Sequence, residues 1–192
     1  MNDTQSEKEE LRSRLLEARE SITAKAFSHG SKHIIGSLKD KPAFLEADVI
    51  HCYVSMNSRG EVDTHHLLKE LLNSDKDVIV PISNFADHTL SHIRLDSFDQ
   101  LKENKWGVLE PDEGEEVSID QVDLVVVPMV GGDECANRIG YGKGFYDRFL
   151  KDVSALKIGL CFEQNIVPKL PVEEFDIPLD HIITEERIIS RD

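Results

Sequence analysis

Val122-Asp-Leu-Val-Val-Val-Pro128-Met-Val-Gly-Gly-Asp-Glu-Cys-Ala-Asn-Arg138-Ile-Gly-Tyr-Gly-Lys-Gly144-Phe-Tyr-Asp-Arg148 is the stretch that decides the fold. Val122 to Val127 is the strongest strand signal, rich in β-branched residues, and Pro128 ends it, so it reads as a buried strand. A glycine-rich segment follows from Gly131 to Gly144, and Phe145 to Val153 reads as a helix. Strand, loop and helix in that order put the glycines at the carboxyl end of a strand. Open α/β sheets bind ligands at that edge. Gly140, Gly142 and Gly144 alternate, so the backbone can approach a ligand closely and present its N–H groups. Arg138 adds a forked cation and Lys143 a point charge. The following helix aims its positive end at the same place. The segment is an anion cradle, suited to phosphates. It is neither a dinucleotide fingerprint, which needs Gly where Phe145 stands, nor a P-loop, which needs Ser or Thr where Gly144 stands.

Working outward, strand and helix signals alternate. Ser6 is a candidate N-cap with Glu9 as its partner, and Leu11, Leu15, Ala18 and Ile22 give the first helix an apolar face. A second helical pattern runs over 23–38 until Pro42 interrupts it. Strands are expected at 48–55, 77–82, 90–95, 156–161 and 181–184, the last being the final one. A turn is expected at 57–60, a short helix at 62–72, and one or two helical turns at 96–102. Glu110 to Glu116 reads as a solvated loop. This alternation predicts one α/β domain over residues 1–192, three-layered, with a central mostly parallel sheet and helices on both faces.

Composition narrows the function. The chain has 192 residues, 22 Lys and Arg, 37 Asp and Glu, and a net charge of −15. Such a balance argues against general binding to nucleic acid or an anionic membrane, which requires a basic face. It leaves room for a small anion in a local basic pocket. Three widely spaced cysteines (Cys52, Cys135, Cys161) form no zinc or disulfide framework. The amino-terminal residues carry no apolar signal segment, and Leu124 to Val130, the longest apolar run, is far below membrane-spanning length. A soluble cytoplasmic protein, with monomer as the favoured state, is expected.

Arg138-Ile-Gly-Tyr-Gly-Lys-Gly-Phe-Tyr-Asp-Arg148 resembles the signature of the 5-formyltetrahydrofolate cyclo-ligases, also called 5,10-methenyltetrahydrofolate synthetases. Further pieces resemble the family in its own order. They are Lys8-x-x-x-Arg12, Glu61-Val-Asp-Thr64 after Tyr53-Val-Ser-Met56, Trp106-Gly-Val-Leu-Glu110-Pro111, Leu170-Pro171, and Asp176-Ile-Pro-Leu-Asp180 running on to Thr184. The resemblance implies a NagB/RpiA/CoA-transferase-like fold and an ATP- and Mg2+-dependent reaction. In it, 5-formyltetrahydrofolate becomes 5,10-methenyltetrahydrofolate, with release of ADP and phosphate. It implies ATP contacts from Lys8, Arg12, Arg138, Gly140, Gly142, Lys143, Gly144, Phe145 and Tyr146, with Lys143 and Arg138 catalytic. It implies folate contacts from Val54, Glu61, Trp106, Tyr141 and Phe145, and Mg2+ ligation by Asp147 and Asp180.

The chain departs from the family's pattern at Gly132, where Phe is usual, at Ala136, usually Gly, at Phe145, commonly Tyr, and at Phe175, frequently His. The turn Ser58-Arg59-Gly60 also differs in length from some relatives. These departures leave the phosphate side intact and fall mostly on the folate side. Two other readings of the cradle stay open: an ATP-dependent ligase or phosphotransferase with a different acceptor, and a non-catalytic folate or nucleotide binder. Read without the resemblance, Lys8 and Arg12 are ordinary helix-surface cations, Glu61 and Asp63 can cap the next helix, and Asp180 is a turn residue. His65-His66 and the His88/His92 pair carry no metal spacing on one helical face. Cys135 has no base partner that would make it a nucleophile.

Overall fold

The computed structural model describes residues 3–105 and 107–191; Trp106 lies outside them. The chain opens with three helices, α1 (Asp3–Glu20), α2 (Ala24–Lys39) and α3 (Pro42–Glu46), followed by strand β1 (Val49–Cys52). Helix α4 (His65–Leu71) leads to β2 (Asp77–Asn84) and β3 (Thr89–Arg94). Two short strands, β4 (Leu101–Glu103) and β5 (Leu109–Pro111), form a separate pair. Then come β6 (Leu124–Pro128), β7 (Gly131–Asp133), β8 (Arg138–Ile139), α5 (Phe145–Lys151) and β9 (Leu156–Leu160). The chain ends with β10 (Ile166–Val167), β11 (His181–Ile183) and β12 (Ile188–Ser190).

Seven strands make the main sheet in the order β12-β11-β9-β6-β1-β2-β3. The inner five are parallel, and β3 and β12 add antiparallel edges. The expected α/β architecture is the one that forms. Alternation along the strands builds its two faces. Ile50, Cys52, Val78, Val80, Leu124 and Val126 face α2, α3 and α4. Val125, Val127, Ile182 and Ile189 face the opposite way, with Phe149 and Leu150 of α5. Strands inside such a sheet are apolar on both sides, which is why Leu124 to Val127 reads as an unbroken apolar run.

From β1 the chain moves outward to β2 in one direction; from β6 it moves to β9 and β11 in the other. The carboxyl ends of β1 and β6 therefore flank a topological switch point, where open α/β sheets leave a crevice. Everything placed after those two ends is aimed at one location.

Several local expectations are corrected. Ser6 lies inside α1 rather than at its start. Pro42 opens α3 instead of ending a helix, because the first helical turn has no use for its missing N–H. The 96–102 segment is a 3-10 turn, Phe98–Gln100, that runs directly into β4. Glu110 belongs to β5, accepting hydrogen bonds from Ser83 N and Asn104 Nδ2 at 2.8 Å each, so the acidic run is not solvated throughout. A further strand, β12, follows the one expected to be last.

The glycine-rich segment is no open loop at its start. β7 and β8 form a hairpin, extended by β10. Asp133, fully buried, organises it by accepting from Cys135 N, Asn137 N, Asn137 Nδ2 and Leu170 N, all at 2.9 Å. Ala136, inside the turn, has φ 58°, the left-handed region that suits the family's glycine. At Gly132 a Cβ would stand 2.5 Å from Ile182 Cδ1 and 2.7 Å from Met129 Cε, so those side chains fill the room beside this glycine.

Asp133→Ala is expected to leave several buried donors unsatisfied and to cost about 3 kcal/mol of stability. A lowered urea midpoint with an unchanged slope would register the loss. An unchanged midpoint would remove Asp133 as the organiser of the hairpin.

Candidate active site

A cleft of about 1200 Å3 opens at the switch point. Its floor is Tyr53 and Val54 from the end of β1 and Pro128 from the end of β6. One wall is the segment from Arg138 to Arg148. Others are α1, the turn around Arg59 and Glu61, the β4–β5 pair, and the 173–177 loop. Seven cations and seven carboxylates line it, in a chain whose acids outnumber its bases by fifteen. Cations are thus concentrated where an anionic ligand would sit.

The alternate glycines act as seats for arginine. A Cβ at Gly140 would lie 2.8 Å from Arg138 Nη1, at Gly142 3.0 Å from Arg12 Cζ, and at Gly144 2.7 Å from Arg148 Nη1. Gly142 and Gly144 also have φ of 84° and 71°, a conformation that disfavours other residues. Arg12 Nε donates to Gly140 O at 2.7 Å, and Arg148 Nη1 to Lys143 O at 3.0 Å. Guanidinium groups therefore hold the loop's carbonyls, while its exposed face remains toward the cleft. Arg138 Nη2 pairs with Asp147 Oδ1 at 2.7 Å, fixing the fork against α5.

Helix α1 reaches this site by the stripe that carries Lys8 and Arg12. Its buried positions are Lys8, Leu15 and Arg19, with Arg12 partly buried on the same stripe. Spacings of four, three and four put these residues on one face. Lys8 Nζ donates to Glu173 Oε2 at 2.8 Å and also to Asp176 Oδ2. Arg19 is 3% exposed and lies beneath the loop.

The loop after β1 is shaped by reciprocal bonds. Thr64 Oγ1 donates to Tyr53 O (2.8 Å) and accepts from Ser55 N (3.1 Å), while Thr64 N donates to Ser55 Oγ (3.0 Å). This fold turns Glu61 inward rather than toward the start of α4. Glu61 Oε2 accepts from Met56 N and Oε1 from Tyr141 Oη, both at 2.7 Å. Burial pushes its pKa up, opposed by those bonds and by Arg19 and Arg59. Burial, with the Glu61 carboxylate beside it, also holds the Tyr141 phenol protonated.

Of the site residues expected from sequence, Lys8, Arg12, Val54, Glu61, Arg138, Gly140, Tyr141, Gly142, Lys143, Gly144, Phe145, Tyr146 and Asp147 all line this cleft. Trp106 lies outside the described residues. Asp180 does not join them. It precedes β11, at the amino-terminal end of the strands, and its Oδ2 accepts from Lys157 N at 2.7 Å. Parallel strands place residues before and after them at opposite edges of the sheet, so Asp180 cannot share a ligand with Asp147. The cleft acid beside Asp147 is Asp176, four residues before Asp180: its chain neighbour Ile177 N lies 3.4 Å from Asp147 Oδ1. Sequence reading also missed Arg19, Glu110, Arg148 and Glu173. Arg148 closes the quoted signature, and its position one turn into α5 was the available signal.

The comparisons fit this geometry. The model of the 5-formyltetrahydrofolate cyclo-ligase family matches residues 4–185. The 5-formyltetrahydrofolate cyclo-ligase of Escherichia coli (strain K12) is 31% identical over 153 residues, covering 77% of this chain and 83% of that protein. That of Haemophilus influenzae is 28% identical over 186 residues, covering 92% and 96%. The solved structure of Aquifex aeolicus 5,10-methenyltetrahydrofolate synthetase superposes with a TM-score of 0.84 at 34% identity, covering 96% of this chain and 93% of that one. A switch-point cleft with a glycine-seated arginine loop, a matching family model and a near-full-length structural likeness agree: this chain belongs to the 5-formyltetrahydrofolate cyclo-ligase family, a family of enzymes.

Proposed function

We propose that the cleft converts 5-formyltetrahydrofolate and ATP into 5,10-methenyltetrahydrofolate, ADP and phosphate. One observation carries the reading: the cationic Gly140–Gly144 loop and the buried Glu61–Tyr141 pair face one continuous cleft. Its volume of about 1200 Å3 exceeds that of a pocket for one drug-sized ligand, roughly 300–1,000 Å3. Phosphates would lie against Gly140, Gly142 and Gly144, with Lys143 and Arg138 at the transferring group and Lys8 and Arg12 along the chain of phosphates. The pterin would lie over Val54, Tyr141 and Phe145, with its N–H groups directed at Glu61.

Chemistry supplies the sequence of steps. A formamide carbonyl is a poor electrophile. Its oxygen attacks the γ-phosphorus of ATP, the bond to ADP breaks, and the oxygen becomes a phosphate ester. N10 of the same substrate then attacks the formyl carbon, the ring closes, N10 gives up its proton, and phosphate leaves with that oxygen. Because the nucleophile is part of the substrate, the protein's work is positioning and charge stabilisation.

The donor set fits Mg2+ as well. The described bonds of Asp147 fall on Oδ1 and those of Asp176 on Oδ2, which leaves one oxygen of each carboxylate without a described hydrogen bond. Among the described residues no group of three or more His, Cys, Asp and Glu could cage a metal. Mg2+ keeps waters and phosphate oxygens as ligands and needs only one or two carboxylates. Bound there, it would neutralise phosphate charge.

The test is spectroscopic: methenyl formation creates a conjugated amidinium absorbing in the near ultraviolet. Purified protein with 5-formyltetrahydrofolate, ATP and Mg2+ should show rising absorbance with matching ADP release; ADP without absorbance would point to another acceptor, and neither signal to a binder. Lys143→Ala should lower kcat/KM by 10²-fold or more, about 3 kcal/mol of transition-state stabilisation; a change within twofold would remove that role. Asp147→Asn and Asp176→Asn should each move the Mg2+ titration to higher concentration, whereas Asp180→Asn should leave it in place.

A further inference from the structure

Arg19 has no part in the scheme above, yet it is among the most buried charged side chains described. It crosses from α1 to three other parts of the site. Nη1 donates to Met129 O at 3.2 Å, just past the end of β6, and Nη2 donates to Tyr141 Oη at 2.5 Å. Tyr141 Oη donates in turn to Glu61 Oε1. The backbone beside Glu61 is pressed on the same side chain, since a Cβ at Gly60 would lie 3.2 Å from Arg19 Cγ.

The chain of bonds has a fixed polarity. A guanidinium only donates, so the Tyr141 oxygen must accept from it. The phenol proton is then committed to Glu61, which must act as an acceptor. Met56 N takes the other carboxylate oxygen. The carboxylate cannot rotate, and its remaining lone pairs are left for the cleft. We propose that Arg19 is a positioning residue for the substrate site, orienting the Tyr141 hydroxyl so that Glu61 presents an acceptor edge to paired N–H donors of the bound ring. The inference rests on the folate reading given above. It adds the element that couples the substrate side to the glycine loop, because Tyr141 stands between Gly140 and Gly142.

The charged and titratable groups facing Glu61 are Arg19 from α1, Arg59 from the adjacent turn, Tyr141 from the loop, Tyr53 beyond β1 and Tyr146 of α5; Cys161, beyond β9, lines the same small internal space. Burial raises the Glu61 pKa and Arg19 opposes it. Loss of that cation raises the pKa further, so binding that needs the carboxylate fails at a higher pH.

The decisive measurement is the pH dependence of the folate KM in Arg19→Met, Arg19→Lys and Tyr141→Phe. In Arg19→Met the acid limb should move up by one pH unit or more. The folate KM at neutral pH should rise at least tenfold more than the ATP KM. Arg19→Lys should recover part of both effects. Tyr141→Phe keeps the buried cation and removes only the bridge, so it should shift the limb in the same direction and serves if Arg19→Met does not fold. An acid limb that stays in place in both Arg19→Met and Tyr141→Phe would overturn the role, as would equal rises in the two KM values. An inactive wild-type protein would instead refute the folate reading itself.

Discussion

The structure turns on the close approach of arginine side chains to a backbone without side chains. Three glycines, each separated by one residue, lie so close to Arg138, Arg12 and Arg148 that a Cβ would crowd the guanidinium groups and make them shift. Two consequences follow from that contact. The guanidinium groups fix the loop by holding its carbonyls, and they place positive charge beside its path. An acidic chain cannot draw anions by its overall field, so it must do so locally. Packing Arg138, Arg12 and Arg148 against glycine gathers positive charge in one place on an acidic chain.

The same cations are themselves held by acids. Arg138 leans on Asp147, and Lys8 lies between Glu173 and Asp176. Such pairs keep long side chains in place and leave carboxylates at the edge where phosphates and a hard cation would meet. On the other side of the loop, burial and hydrogen bonds, not charge density, shape the surroundings of Glu61. The cleft therefore has a half lined by cations of the glycine loop and a half built around a buried acceptor, Glu61. Tyr141 belongs to both through its position in the loop and its bond to Glu61.

Much of this was readable from local pattern. The run ending at Pro128 is apolar on both faces of a parallel sheet, and its composition shows it. Alternate glycines with adjacent cations announce the loop. Other features were hidden for physical reasons. Apolar periodicity pointed to Leu11, Leu15, Ala18 and Ile22, and Leu15 is indeed buried with Leu11 beside it; what no apolar pattern showed is that Lys8, Arg12 and Arg19 dock on the same side. A buried cation is paired by partners more than a hundred residues away, which no local pattern records. The β7–β8 hairpin was missed because the pattern of its residues, Gly131-Gly-Asp133, carries no strand signal; the side chain of Asp133 organises it instead.

Asp176 and Asp180 mark the boundary between the two kinds of information. Four residues apart in one motif, they look interchangeable as metal ligands. Only the start of β11 separates them, sending one to the cleft and the other to the opposite edge of the sheet. By itself the sequence determined the alternation of strands and helices, the strand that anchors the sheet, and the chemical type of the loop that follows it. Those are properties of neighbours along the chain. Tertiary structure decided which acids meet the loop, which face of α1 is buried, and that Arg19 reaches Glu61 through Tyr141, because distances between remote residues are set by strand order and direction.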